Sequence, residues 1–357
     1  ELAINKKKGF YFSINDSIAH GDSARFAIAI ENVSEFDFDS LLVHYSVQDY
    51  NNQRQYIPYA RQDSLRAGEV ILDTVTISTK NLPNDNRLWV EANPYIDDLN
   101  QDQREQFYFN NVAFIDFHAE TDKINPILDV TFDGLHILNR DIVSAKPFVT
   151  ITVDDENEFF LFDSQEDTSN LQLFLREPGG TTFKSIRFRD GNGEELLRFI
   201  PATGEENKCT IEYEPAFPVD GIYKLLVQAK DKSQNSSGDI EYEIEFEVIN
   251  ASTITNVMNY PNPFTTRTQF VFTLTGSVIP DYFKIQILTA SGRIVREITR
   301  AEVGNLRIGR NITDYYWDGR DQFGDRLAAG VYFYTVTTKI NGENIDRRES
   351  GADEYIN

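Results

Sequence analysis

The chain has 357 residues, 40% hydrophobic and 13% aromatic, which suits two or three packed domains of about 100–150 residues each and excludes a disordered tail. Its 57 acidic residues outnumber 34 basic ones, and the resulting charge of −23 repels phosphate backbones and anionic lipid, arguing against nucleic acid and membrane surfaces as partners. A single cysteine, Cys209, excludes an internal disulfide framework and cysteine-held zinc.

With 26 Phe and 17 Tyr against one Met, the composition favours strands, and the chain reads as all-β: three tandem β-sandwich domains at 1–120, 121–250 and 251–357. In the first, Ser23–Glu31 and Leu41–Val47 alternate with period two. A turn at Asp63–Glu69 leads into a strand at Val70–Ile77, and a further strand, Leu88–Asn93, stops at Pro94. The acidic run Asp97, Asp98, Asn100, Asp102 and Glu105 fails as an EF-hand. Counted from Asp98, its sixth position is Gln103 instead of glycine and its twelfth is Phe109 instead of glutamate. A solvated acidic hairpin, without metal, is expected there. The pattern Asn93-Pro94 … Glu105 … Asn110-Asn111, together with Ile28–Ser34 upstream, resembles the bacterial adhesion-related Ig-like domain.

Asn125-Pro126 marks the start of a second set of strands. Ile127–Phe132, the turn Asp133-Gly134 and Leu135–Leu138 read as a hairpin, followed by a strand at Pro147–Val153 and an acidic turn at Asp154–Asn157. Leu171–Leu175 and Phe183–Phe188 flank the turn Pro178-Gly179-Gly180. Cys209 lies in the alternating run Lys208–Tyr213, where a buried structural thiol is expected. Gly221–Asp231 and Ile240–Val248 complete this set, the latter with glutamates on its exposed face. The first of these, with Asn235 after it, resembles the closing hairpin of bacterial Ig-like domains. No helix of ten residues or more is predicted, and the short linkers imply a rod-like array.

The last quarter carries the most specific signals. Asn259-Tyr260-Pro261-Asn262-Pro263-Phe264 reads as a stiff extended lead, because each proline fixes φ and removes a ladder donor. Phe270–Leu274 and Phe283–Leu288 alternate, and Ser291-Gly292 is a hairpin turn before Ile294-Val295. Trp317 is a core plug ahead of two tight turns, Asp318-Gly319 and Phe323-Gly324-Asp325. Gly330–Val336 is the closing strand and includes Tyr332.

Taken in order, Tyr-Pro-Asn-Pro-Phe, Ser-Gly-Arg-Ile-Val, Trp-Asp-Gly-Arg-Asp-x-x-Gly-Asp and Gly-Val-Tyr-Phe-Tyr resemble the Ig-like fold of flagellar hook-capping proteins. They resemble still more closely the C-terminal domains that address proteins to the type IX secretion system of Bacteroidetes. The three-domain order is similar to the C-terminal region of large Bacteroidetes surface proteins that carry a gingipain-type cysteine peptidase upstream. The resemblance implies a secreted or cell-surface protein, of which this chain is a non-catalytic stalk and sorting region; the alternatives are part of a gingipain-type cysteine peptidase whose catalytic domain lies upstream, and a surface adhesin or filament subunit. It also implies a partner in the secretion machinery, an outer-membrane shuttle β-barrel, reading Pro261, Asn262, Pro263, Phe264, Gly292, Trp317, Asp318, Gly319, Gly324, Gly330 and Tyr332 as part of a folded module. The family's last strand usually carries a Lys-Leu/Ile-Val-like run; here the sequence trails off as Glu349–Asn357.

The remaining chemistry is sparse. His20, His44, His118 and His136 are scattered, no nucleophile elbow or phosphate loop occurs, and no cofactor or catalytic residue is assigned. No run reaches the ~18 apolar residues of a membrane-spanning helix, and the chain is expected to be a fragment whose export signal lies upstream of Glu1. Asp-Ser or Asp-Thr before an aliphatic residue or alanine places candidate acceptors at Ser17, Ser23, Ser40, Ser64 and Thr74, similar to the O-glycosylation pattern of Bacteroidetes.

Overall fold

A computed structural model describes residues 1–4, 12–13, 18–97, 99–204 and 206–347. Antiparallel sheets dominate; among the described residues the α-helix is a single turn, α1 (Arg300–Val303). The chain folds as two compact units.

The first unit comprises Glu1–Ile124 and Asn157–Leu161. Its strands are β1 (Leu2–Ile4), β2 (Phe12–Ser13), β3 (Ser23–Asn32), β4 (Val43–Gln48), β5 (Arg54–Ile57), β6 (Val70–Ser78), β7 (Asn84–Ala92) and β8 (Val112–Ala119). In one sheet β3 pairs with β1, β2 and β6; the other runs β5-β4-β7-β8. Period-two alternation turns Phe26, Ile28, Ile30, Tyr45, Val47, Leu88 and Val90 into one core between the sheets.

The loop joining β7 to β8 departs from the solvated acidic hairpin read in the sequence. The Glu105 side chain is only 1% exposed. It accepts hydrogen bonds from the side chains of Asn93 and Asn111 and from the Leu2 N–H. Three neutral donors replace the water a buried carboxylate would lose, which is what permits it to sit inside. Asp102 is engaged as well, in a two-pronged pair with Arg61 at 2.6 and 2.7 Å. Asp97 closes the loop tip, accepting from the N–H groups of Leu99 and Asn100 at 2.9 and 2.8 Å. Asp98 lies outside the described residues.

The second unit, Asn125–Glu156 and Phe162–Asn357, holds two further pairs of sheets. The first pair is built from β9 (Ile127–Phe132), β10 (Asp141–Val143), β11 (Val149–Asp155), β12 (Leu171–Arg176), β13 (Lys184–Ile186), β14 (Leu197–Ile200), β15 (Asn207–Tyr213), β16 (Gly221–Ala229) and β17 (Tyr242–Val248). They form sheets ordered β10-β17-β16-β12-β13 and β14-β15-β11-β9. The hairpin read at Ile127–Leu138 is half right. A tight turn does close Phe132 onto Leu135, but β9 takes β11 as its partner, because Leu135 and Leu138 are exposed and have no core to face. Asp154 and Asp155 belong to β11 instead of a turn. Cys209 is fully buried in β15, and burial pushes its thiol up to about 12.

The second pair uses β18 (Thr253–Tyr260), β19 (Gln269–Leu274), β20 (Tyr282–Thr289), β21 (Ile294–Thr299), β22 (Gly309–Ile312), β23 (Tyr332–Ile340), β24 (Glu343–Asn344) and β25 (Asp346–Arg347). Its sheets run β22-β19-β18-β25 and β21-β20-β23-β24, around a core of Phe270, Phe272, Phe283, Ile285, Ile287 and Trp317. Two boundaries differ from the sequence reading. A full strand, β18, precedes the proline motif, and the closing strand runs from Tyr332 to Ile340 instead of starting at Gly330. Glu349–Asn357 lies outside the described residues.

Candidate recognition site

Most of the signature residues meet at one end of the last pair of sheets. β18 delivers Tyr260 to the proline motif, where the Tyr260-Pro261 and Asn262-Pro263 peptides are both cis. Thr268 clamps the motif: its hydroxyl donates to the Pro261 carbonyl at 2.8 Å and accepts from the Asn259 side chain at 3.2 Å. The backbone of Thr268 exchanges both hydrogen bonds with Trp317, at 2.9 and 2.8 Å. The motif and the tryptophan are thus held on neighbouring rows.

Aromatic packing completes the base. Phe264 lies 5.4 Å from Trp317 between ring centroids, and Tyr332 meets Trp317 edge-on at 5.6 Å. Gly319 sits against the Phe264 ring, where a Cβ would meet it at 3.9 Å. The indole N–H donates to the Arg320 carbonyl at 2.9 Å, and Tyr332 donates its hydroxyl to the Ala328 carbonyl at 2.7 Å. Trp317 is 5% exposed, so this base is core. Asp318 pairs with Arg320 at 3.1 Å.

The turns are fixed by left-handed backbone and carboxylate acceptors. Gly292, Gly319 and Gly324 have φ of +84°, +77° and +92°, where a β-carbon is penalised. Asp321 accepts from the N–H groups of Phe323 and Asp325 at 3.0 and 2.9 Å and holds the second turn shut. Gly330 is different: it has neither a left-handed φ nor a neighbour near its missing Cβ, so nothing in the fold requires glycine there.

The same pair of sheets also presents apolar side chains to solvent. Tyr260, Phe323, Val331 and Phe333 are 72, 88, 74 and 58% exposed. Of the residues the sequence reading singled out, only Trp317 is buried; Phe264, Gly319 and Tyr332 are half-buried, the rest are exposed, and these four were not among them. The signal for two of them was present, since Val331 and Phe333 alternate with the inward Tyr332 and Tyr334.

The candidate acceptor residues do not gather into a site. Ser64 and Thr74 are exposed, whereas Ser23 and Ser40 are half-buried in β3 and beside Arg61. Ser17 lies outside the described residues. The histidines make local contacts: His118 with Asp85 at 2.7 Å, His136 with Asp129 at 2.6 Å, and His20 with the Lys80 carbonyl at 3.1 Å.

No family model matches the sequence, and no curated protein matches it. Among solved structures, dimeric latent PorU from Porphyromonas gingivalis aligns at 13% identity and a TM-score of 0.27, over 96% of this chain. The chain spans 33% of the length of that protein. A tetra-tandem repeat from the extending region of a large adhesion protein aligns at 14% identity and a TM-score of 0.26, over 97% of this chain and 72% of its own. The chicken CNTN1 FN1–FN3 domains align at 10% identity and a TM-score of 0.21, over 94% of each chain.

Proposed function

We propose that the chain is a non-catalytic, three-domain region (1–120, 121–250, 251–357) of a large secreted or cell-surface protein, whose last domain is recognised by the type IX secretion machinery. One observation carries the reading. Segments scattered over more than seventy positions of sequence, Pro261–Phe264, Trp317–Gly319 and Tyr332, converge on one aromatic base around the buried Trp317, in a pair of sheets that also exposes Tyr260, Phe323, Val331 and Phe333. Exposed aromatic and aliphatic groups on a domain anchored by such a base are what a protein-docking surface needs. The partner in this reading is an outer-membrane shuttle β-barrel that handles the domain already folded.

The order of the domains supports a second reading, in which the parent protein carries a gingipain-type cysteine peptidase upstream and this region positions it. Cys209 has no part in such chemistry, being fully buried with its thiol raised to about 12. Fusing residues 125–357 behind an exported fluorescent reporter in a type IX-competent bacterium tests the first reading. The reporter should reach the cell surface or medium, and Phe323→Asp with Val331→Asp should hold it back. A wild-type fusion that stays in the periplasm would reject the reading.

A further inference from the structure

A second surface, unconnected with the recognition end, lies in the first pair of sheets of the second unit. There the two sheets end on short edge strands, β13 in one and β14 in the other, and a cleft of about 700 Å³ opens where they meet. That volume falls within the range of sites that hold a ligand. Its floor is apolar: Leu175 from β12, Ile186 from β13, Tyr213 from β15, and Phe217 in the loop after it.

The rim has one sign of charge. Glu177, Glu195, Glu212 and Glu214 line it against a single cation, Arg198. Arg198 is already bound to Glu212 at 3.2 Å, and Glu177 is matched by Lys184 at 2.8 Å. Glu195 and Glu214 are exposed and make no ion pair among the described residues, so the mouth keeps a surplus of negative charge. Burial raises the Tyr213 hydroxyl to about 12, which keeps it neutral on the floor.

We infer that this cleft binds an extended, lysine- or arginine-bearing peptide segment of another protein, its aliphatic side chains on the floor and its cations at Glu195 and Glu214. The shape and the charge argue jointly. An anionic or nucleic-acid ligand would meet unpaired carboxylates, and a second copy of this chain would bring a charge of −23 against a like-charged rim. A basic strand satisfies both rim and floor. Its outward backbone groups would face the edges of β13 and β14, where an added strand finds partners.

The probe is a six-residue peptide of alternating leucine and lysine, titrated against the full chain by calorimetry, with the leucine–glutamate peptide as control. Saturable binding of the basic peptide alone is expected. Glu195→Gln with Glu214→Gln should weaken it about tenfold, the scale of two exposed charge contacts. Leu196→Lys, an exposed position on the cleft wall, should weaken it by a similar factor without disturbing the fold. Glu166→Gln with Asp239→Asn removes the same charge outside the cleft and should leave binding unchanged. No saturable binding of the basic peptide, equal binding of the acidic peptide, or equal loss in the cleft and control variants would overturn the assignment.

Discussion

Tyr45 donates its hydroxyl across the first sandwich to Asp73, Oη to Oδ2 at 2.6 Å, while Tyr59 donates to the other oxygen of the same carboxylate. Asp73 is 8% exposed and sits on the inward face of β6 beside Val75 and Ile77. Two phenols thus take the place of water around a carboxylate in an apolar core.

Removing the carboxylate with Asp73→Ala leaves two hydroxyls without their acceptor. The expected cost is about 1–3 kcal/mol for each hydroxyl that finds no water. Tyr45→Phe should cost less, because Tyr59 still serves the carboxylate. Urea unfolding followed by Trp89 fluorescence, in the first unit, would rank the two variants.

The same cluster makes the fold sensitive to alkali. Burial and the Asp73 charge hold Tyr45 protonated well above its ordinary value, and Tyr59 is raised to about 12. Unfolded tyrosines ionise near 10, so a raised folded value gives stability that is complete below pH 10 and lost as pH climbs toward 12. Tyr108 and Tyr213, both raised to about 12 by burial, act in the same direction in their own units. The urea midpoint should therefore hold steady from pH 7 to 9 and fall by pH 11. Tyr59→Phe should flatten that fall.

Strand positions were legible because alternation is a local property, and β3, β6, β12, β15 and β20 all lie where apolar residues recur every second position. Asp73 was legible in the same way and was overlooked: it occupies an inward slot in Ile71-x-Asp73-x-Val75-x-Ile77. Pairing was less legible. Ile127–Phe132 and Leu135–Leu138 carry a good hairpin turn, yet the partner of β9 comes from β11, since long-range burial decides which strand a neighbour accepts. The proline and tryptophan motifs announced an aromatic base, but sequence separation hid that Thr268 is what joins them.

The base of the recognition end should be costly to empty. Trp317→Ala removes the ring that both Phe264 and Tyr332 pack against, at an expected cost of about 3–5 kcal/mol. Thr268→Val keeps the volume but loses the hydroxyl bond to Pro261, and should cost about 1 kcal/mol. Phe323→Ala, by contrast, removes an exposed ring and should stay within about 0.5 kcal/mol of the parent. Thermal unfolding of the three variants would separate residues that build the end from those that present it.

Glu105 gives a prediction with a spatial signature. Glu105→Ala strands the amides of Asn93 and Asn111 and the Leu2 N–H in a site from which water is excluded. The loss should reach about 3 kcal/mol or more, since several donors lose one shared charged acceptor. Glu105→Gln restores one oxygen acceptor and should recover part of it. The damage should be confined to the first unit, so hydrogen exchange would accelerate in β1, β7 and β8 and leave β20 and β23 unchanged.

Within the second unit the two pairs of sheets are keyed together at glycine. Gly309 opens β22 with φ of +94°, and a Cβ there would lie 2.6 Å from the Ile142 carbonyl oxygen in β10. Nearby, the Ala145 N–H donates to the Gly276 carbonyl at 3.1 Å, and the Gly276 N–H donates to Ile249 at 2.9 Å. Backbone meets backbone here, so no side chain can swing aside to make room. Gly309→Ala meets a strained φ and a collision together, for an expected loss of about 2–4 kcal/mol. If the junction transmits stability, that variant should lower the melting of β15 and β16 along with β20 and β23. Hydrogen exchange that accelerates only in β19–β23 would instead mark the last pair of sheets as an independently melting module.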